Sequence, residues 1–231
     1  MVTGHQADAE SVARIREPVL RIDGGALVAA SVAELAALCD RVEDGEAGRF
    51  VVLRVSGVPG PGWFRDLPVA QVSKWERGLR RLERLPILII AVAEGDCGGA
   101  ALDALLAADY RIMPAGARLV MPIVAGAIWP GMALYRIARQ AAGATLARRA
   151  ALFGTPIGAA EAQAMGIIDE VGDVELALEK AMETAGAVPG AELAIRRQLV
   201  LEAPTTSFED ALGVHLAACD RALRRAAAGA A

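Results

Sequence analysis

The chain has 231 residues, with 24 Lys and Arg against 28 Asp and Glu and a formal net charge of −4 at pH 7. The length predicts one domain with a substantial core, and the acidic balance excludes the basic surface that a nucleic acid or an anionic membrane would need. The mean hydropathy of +0.38 indicates a large buried interior or subunit interface, because the most apolar run, 86–93, is far too short to cross a bilayer.

The amino-terminal residues lack the apolar core of a signal peptide. We expect a flexible N-terminus over 1–16, a core domain over 17–190 and a helical C-terminal segment over 191–231. Three scattered cysteines without a CxxC pair favour reduced thiols in a cytoplasmic protein. Because only two histidines are present, we expect no metal site.

Strands and helices are predicted to alternate along the first half of the chain, with strands at 18–25, 50–57 and 87–93 and helices at 31–45 and 70–85. Ser31 is predicted to cap the first helix and Gly45 to end it. Pro86 stops the second helix. The third strand is apolar at every position, as is typical of a central parallel strand covered by helices on both faces.

The second half is richer in helix, with strands predicted at 110–113, 118–123 and 167–171 and helices at 132–143, 145–154, 158–166, 174–186, 191–203 and 207–225. Repeated strand–loop–helix units predict an α/β fold with parallel strands. In such folds the active-site loops lie at the carboxyl ends of the strands.

A glycine-rich turn, 95-GDCGGAALD-103, leads from the third strand into a helix. Its backbone N–H groups and the helix dipole favour an anion there. The nucleotide patterns G-x-x-x-x-G-K-[ST] and G-x-G-x-x-G do not occur, and none of the five serines lies in G-x-S-x-G. What remains is a backbone oxyanion hole near Gly99 and Ala100, with a second donor from the loop at 62–64, which suits a thioester that becomes enolate-like.

Three segments in order, 87–113, 121–131 and 152–171, resemble the enoyl-CoA hydratase/isomerase (crotonase) superfamily, and the resemblance extends over 18–225. Its most specific part is 152-LFGTPIGAAEAQAMGIIDEV-171. The resemblance implies a crotonase (ClpP-like) fold of parallel-strand β-β-α units with a helical C-terminal trimerisation region. It also implies an acyl-CoA substrate, a homotrimer or hexamer, and no cofactor other than the coenzyme A of the substrate.

The resemblance assigns the oxyanion-hole N–H groups to Ala100 and Trp63, and the first catalytic carboxylate to Asp103. The second carboxylate corresponds to Ile123, which cannot exchange protons, so we expect a reaction that needs one acid/base group, or none from this position. An aspartate in the first turn of a helix also stabilises the dipole, so a structural role for Asp103 stays open. The expected pocket comprises Gly62, Phe64, Asp96, Gly99, Ile123, Trp129 and Gly131.

Two of these pocket residues, and Trp63, carry further interpretations. Asp96 beside the pocket favours a turn-forming role. Trp129 either packs in the core or lines the acyl pocket. Because Trp63 and Trp129 stand on two active-site loops, we hypothesise a flat acyl group, aromatic or derived from a polyketide.

Within the superfamily, segments 73–86, 95–112, 126–136 and 192–225 look most similar to the auxiliary hydratase-like proteins of 3,5-dihydroxyphenylglycine biosynthesis (DpgB type). This resemblance implies an acyl-CoA lyase or isomerase of antibiotic biosynthesis. It would assist formation of 3,5-dihydroxyphenylacetyl-CoA beside a type III polyketide synthase or pathway hydratases. The alternatives are a non-catalytic crotonase-fold partner of the synthase, and a CoA-thioester hydrolase or decarboxylase on the same fold.

Overall fold

The structure is a computed structural model that describes residues 18–140, 144–185 and 190–229. The N-terminus expected to be flexible, 1–16, lies outside these residues. The described strands are β1 (Val19–Asp23), β2 (Phe50–Gly57), β3 (Leu88–Cys97), β4 (Tyr110–Met113), β5 (Arg118–Leu119), β6 (Ile123–Val124), β7 (Ala127–Ile128), β8 (Ile157–Gly158) and β9 (Glu170–Val171).

The described helices are α1 (Ala29–Glu43), α2 (Val69–Leu82), α3 (Gly99–Ala107), α4 (Met132–Gln140), α5 (Ala144–Phe153), α6 (Ala159–Ala164), α7 (Val174–Ala185), α8 (Gly190–Glu202) and α9 (Phe208–Gly229), with a short 3₁₀ turn between the last two. Part of the helix predicted at 132–143 lies outside the described residues, since 141–143 are not among them.

The main sheet runs in the order β1-β2-β3-β4-β9, and all of these neighbours pair in parallel. Alternate side chains of β2 pack into two different hydrophobic cores. Val51, Leu53 and Val55 pack into the larger core with α1, α2 and α3, whereas Phe50 and Val52 pack into a smaller core against α7. Both faces of β2 are therefore covered, and the predicted α/β fold with a parallel sheet is confirmed.

The helix α1 corrects one predicted boundary and confirms another. It begins at Ala29, and its N-cap is Val28, which makes no side-chain cap hydrogen bond. Ser31 therefore lies inside the helix and does not cap it, because Ala29 and Ala30 extend the helix by two residues. Gly45 ends α1 with a φ of 78°. Its N–H donates to the Val42 carbonyl while the Glu46 N–H donates to the Arg41 carbonyl, which is the Schellman arrangement.

The strand predicted at 118–123 is wrong beyond Leu119. Val120 N–H donates to the Cys97 carbonyl, and Pro122 has no N–H to donate, so regular pairing stops. The chain then forms the β6–β7 hairpin. Its turn residues Ala125 and Gly126 both have positive φ, 50° and 82°, as a tight two-residue turn requires.

The helix α8 is attached to the core by one buried arginine. Arg197 donates to the Asp109 carboxylate at 2.6 Å and to the carbonyls of Leu85 and Ile87, each at 2.7 Å. These contacts fix α8 against the beginning of β3. In the described part of the chain, no helix is long and apolar enough to cross a membrane.

Candidate active site

Three strands end against one another at glycines. Gly24 N–H donates to the Ser56 carbonyl at 2.8 Å, and Gly98 N–H donates to the Gly57 carbonyl at 2.9 Å. A Cβ on Gly24 would lie 2.2 Å from the carbonyl oxygens of both Gly57 and Gly98. Only glycine allows this approach, which sets the start of α3 directly beside the ends of β1 and β2.

The helix α3 begins without a side chain that caps its N-terminus. Its N-cap is Gly98, which has no side chain to cap the helix, and Gly99 has a φ of +50°. The first-turn N–H groups of Gly99 and Ala100 have no acceptor within the helix. Because the helix dipole adds partial positive charge at this end, an oxygen that gains negative charge is stabilised beside Ala100.

A cavity of about 120 Å³ lies at this end of α3. Loops, α2, α3 and the start of α4 all contribute to its wall. Its lining residues are Leu27, Trp63, Leu67, Val72, Trp75, Glu76, Gly99, Ala100, Asp103, Met121, Pro122, Trp129, Pro130, Gly131, Met132 and Ala133. The wall is mainly apolar, and Asp103 and Glu76 are its two carboxylates.

Asp103 lies one helical turn after Ala100 and reaches the same cavity. Its Oδ2 accepts a hydrogen bond from the Trp75 indole N–H at 3.3 Å. Burial in this apolar wall, followed by the nearby Glu76 carboxylate, raises the pKa of Asp103 to about 7. The Arg136 charge, the Trp75 donor and the Ala133 backbone N–H oppose that rise. A carboxyl group with this pKa both donates and accepts protons near neutral pH.

Arg136 forms ion pairs with two acidic side chains, Glu76 of the cavity wall and Glu83. Its Nη1 is 3.1 Å from Glu76 Oε2, and its Nε is 3.0 Å from Glu83 Oε1. The Arg136 side chain is only 5% exposed. Burial raises the pKa of Glu76, and the Arg136 charge opposes this rise. The Arg136 charge therefore acts on three carboxyl groups, because Asp103 also lies close enough to be affected by it.

Two tryptophans form one side of the cavity. The rings of Trp63 and Trp129 meet edge to face with centroids 5.4 Å apart. The Trp63 indole N–H donates to the Ile123 carbonyl at 3.2 Å, and a Cβ on Gly131 would lie 2.6 Å from Nε1 of Trp129. These contacts hold both indoles in place at 83° to each other, so this side of the cavity presents two fixed aromatic rings.

A family model described as Enoyl-CoA hydratase/isomerase matches residues 70–219. The chain belongs to the enoyl-CoA hydratase/isomerase family. The "Enoyl-CoA-hydratase" of Amycolatopsis orientalis is 55% identical to this member over 213 residues, which cover 91% of this chain and 98% of that protein. Family membership gives the protein an acyl-CoA-processing function.

Solved structures of other proteins share the fold of this family member. An enoyl-CoA hydratase from Shewanella pealeana superposes with a TM-score of 0.75 at 17% identity, covering 89% of this chain and 84% of that one. An enoyl-CoA hydratase/isomerase from Marinobacter aquaeolei superposes with a TM-score of 0.72 at 23% identity, covering 92% and 88%. These likenesses confirm the crotonase-type fold that the sequence predicts.

The structure of this enoyl-CoA hydratase/isomerase family member brings six of the predicted site residues to one cavity: Trp63, Gly99, Ala100, Asp103, Trp129 and Gly131. The backbone N–H of Trp63 donates to the Gly60 carbonyl at 3.3 Å in a turn. A substrate oxygen would have to compete with that carbonyl for the Trp63 N–H. Ala100 is therefore the better placed of the two predicted donors.

The other four predicted pocket residues do not belong to the described lining of this cavity. Asp96 accepts from the Arg118 backbone N–H at 2.8 Å and its guanidinium at 2.7 Å, which fixes the start of β5. Ile123 is 55% exposed. Phe64 meets the Trp63 ring edge to face, and Gly62 has a φ of +77° in the same loop, so both shape that loop.

Sequence reasoning missed Glu76 and Arg136. A usable signal was present, because Glu76 of α2 and its C-cap residue Glu83 are seven residues apart and therefore lie on one side of the helix, beside its apolar positions. Two acids so close to an apolar face predict a buried cationic partner. Within the described ranges, no group of three His, Cys, Asp or Glu side chains is arranged to hold a metal ion.

Proposed function

We propose that the protein is an acyl-CoA lyase or isomerase in which Asp103 transfers protons and the Ala100 N–H stabilises the enolate oxygen of the thioester. The observation that carries this proposal is the position of Asp103 in the wall of an apolar cavity, where burial raises its pKa to about 7. Ala100 lines the same cavity three residues earlier on α3, and residues three apart share one side of a helix.

The chemistry follows from these two groups. With the thioester oxygen beside the Ala100 N–H, negative charge on that oxygen meets the positive end of α3. As a carboxylate, Asp103 takes a proton from the carbon next to the carbonyl. As a carboxylic acid, it returns that proton to the same carbon or to a carbon two positions away. Such an isomerisation requires one acid/base group.

We also propose that the acyl group is flat and derived from a polyketide. The aromatic surface of Trp63 and Trp129 and the small cavity of about 120 Å³ fit a planar ring better than a long flexible chain. The proposed reaction assists formation of 3,5-dihydroxyphenylacetyl-CoA beside a type III polyketide synthase. The similarity of segments 95–112 and 126–136 to the auxiliary proteins of that pathway supports this choice.

The acid/base role is tested with Asp103→Asn and vinylacetyl-CoA, whose conversion to crotonyl-CoA requires one proton transfer out and one in. We expect turnover to fall by about 10²–10⁴-fold, the usual contribution of a positioned acid/base group. Asp40→Asn is the matched control, because Asp40 lies on the surface of α1, away from the cavity, where it pairs with Arg81 of α2. An unchanged rate for Asp103→Asn would end the assignment.

The pathway role is tested with a type III polyketide synthase and malonyl-CoA, with and without the protein. We expect the protein to raise the yield of 3,5-dihydroxyphenylacetyl-CoA, and Asp103→Asn to lose that effect. If Asp103→Asn retains the full effect, the protein is a non-catalytic partner of the synthase. Release of free acid or CO₂ from the acyl-CoA would indicate a hydrolase or decarboxylase.

We propose in addition that α9 joins copies of this chain into a homotrimer or hexamer. Phe208, Leu212, Leu216 and Leu223 follow one stripe of α9 and are 78%, 46%, 59% and 71% exposed. A second copy that presents the same apolar stripe would cover them. Light scattering should give at least three chains per particle, and Leu216→Glu should lower that number. The matched control is Ala217→Glu, which adds the same charge outside the stripe.

A further inference from the structure

We propose that Glu76 is a second catalytic carboxylate of this cavity, acting from α2 where the family position at Ile123 lacks one. This inference rests on the proposed function, because it adds a partner to Asp103. Its consequence is that the protein can add water to a conjugated acyl-CoA double bond, or remove it, in addition to moving a double bond.

The placement of Glu76 supports this role. Glu76 and Asp103 line one cavity from two different helices, and Trp75, the residue before Glu76, donates its indole N–H to Asp103. The Glu76 side chain is 19% exposed, so most of it is packed in the cavity wall and a part of it remains accessible. A substrate in the cavity would therefore meet a carboxyl group from each helix.

The hydrogen bonds of Glu76 leave one oxygen available. Its Oε2 accepts from Arg136 Nη1 at 3.1 Å. Among the described residues, its other oxygen has no hydrogen-bond partner in the protein. Arg136 thus fixes the position of the carboxylate through one oxygen, and the free oxygen can accept a proton from a water molecule.

The two carboxyl groups have different surroundings. Glu76 forms an ion pair with Arg136, which favours its charged form and opposes, without cancelling, the rise in the Glu76 pKa that burial causes. In the part of the chain that the structure describes, Asp103 accepts its hydrogen bond from an uncharged donor, the Trp75 indole, and the Ala133 backbone N–H also favours its charged form. Two titratable groups in contrasting environments divide the acid and base roles. Glu76 is therefore the base towards water, and Asp103 is the acid towards carbon.

The hydration step balances with these two groups alone. The Glu76 carboxylate takes a proton from water as the water oxygen bonds to C3 of the enoyl thioester. The electron pair of the C2–C3 double bond shifts to the thioester oxygen, which the Ala100 N–H stabilises. The enolate then takes the Asp103 proton at C2. Glu76 ends neutral and Asp103 ends charged, and a proton passing between them through solvent restores the starting state.

The test compares two reactions in three variants. Hydration of crotonyl-CoA requires both groups, whereas isomerisation of vinylacetyl-CoA requires one. For Glu76→Gln we expect hydration to fall by about 10²–10⁴-fold and isomerisation to fall much less. Asp103→Asn should lose both reactions. Glu83→Gln is the matched control, because Glu83 also pairs with Arg136 but is not part of the cavity lining; it should keep both.

Several outcomes would overturn the role of Glu76. Wild-type-like hydration by Glu76→Gln is one. Equal losses in Glu76→Gln and Glu83→Gln, with thermal unfolding showing both variants folded, would mean that only the Arg136 ion pairs matter. A wild-type protein that isomerises but does not hydrate would overturn Glu76 and leave Asp103 standing. Failure of both reactions in the wild type would instead overturn the proposed function itself.

Discussion

The helices α3 and α9 are both rich in alanine and leucine, yet the protein uses them in opposite ways. Seven of the nine residues of α3 are buried, whereas none of the side chains described in α9, which are those of 208–228, is buried. The charged residues already distinguish them, because α9 carries six and α3 carries one, Asp103. The packing agrees with this difference, because β1, β2, α2 and α4 surround α3.

Glycine shows the same contrast. Gly99 opens α3, and a Cβ there would lie 2.7 Å from both the Gly24 carbonyl oxygen and Pro59 Cγ. Gly213 lies within α9, and a Cβ there would meet nothing within 4 Å. One glycine is required by close packing, and the other only adds freedom to the unfolded chain. The comparison between the two helices can therefore be tested by the same substitution at both positions.

The largest effect is expected for Gly99→Ala. The added Cβ meets backbone on one side and a proline ring on the other, and the φ of +50° disfavours any L side chain. We expect the free energy of unfolding to fall by about 2–4 kcal/mol, measured by urea denaturation. If Gly99→Ala were as stable as the wild type, α3 would not depend on this close contact.

A smaller effect of opposite sign is expected for Asp103→Asn above neutral pH. The folded state raises the pKa of Asp103 from 3.8 to about 7, so folding favours the protonated form. The stability from this group is fully present below about pH 4 and is lost as the pH rises through 7. At pH 8 the variant should therefore exceed the wild type by roughly 1–3 kcal/mol, and the advantage should disappear at pH 4.

Thermal unfolding at the two pH values measures this prediction. About 1 kcal/mol corresponds to roughly 2–4 °C in Tm for a chain of this size. Asp40→Asn serves again as the control, because it changes the same group on the surface of α1. A constant difference between Asp103→Asn and the wild type at both pH values would mean that burial does not shift the pKa of Asp103.

The smallest effect is expected for Gly213→Ala in α9. The new methyl group meets no neighbour, and alanine favours a helix over glycine, so we expect a gain of about 0.5–1 kcal/mol in the free energy of unfolding. Urea denaturation of this variant beside Gly99→Ala gives the comparison directly. A loss of stability at Gly213 would show that α9 packs more tightly than its exposed side chains indicate.

Local patterns were sufficient for much of the fold. The strand β2 runs from Phe50 to Gly57, as its apolar run predicts, and Gly45 ends α1 as predicted. Boundaries were less predictable where two local signals compete. Ser31 is a good capping residue, but the preceding alanines continue the helix. The run at 118–123 is apolar enough for a strand, but Pro122 and the bond from Val120 to Cys97 interrupt the pairing.

The candidate site also contains residues that the sequence predicted and residues that it did not. Asp103 and Ala100 were predicted because they share one short segment that follows a glycine turn. Glu76 and Arg136 come from α2 and α4, and their pairing at 3.1 Å joins positions 60 residues apart. A sequence pattern specifies neighbours along a chain. It does not specify which side chains from separate helices will share a buried charge.

The sequence by itself determined the parallel α/β fold, the family to which the chain belongs, and the helix whose amino end faces the cavity. Hydrophobic periodicity, glycine spacing and a segment-long motif are local properties, so they can be read along the chain. Only the tertiary structure decided which residues form the cavity and which carboxylates share it. Burial and nearby charges determine proton affinity, and both exist only after distant helices have packed together.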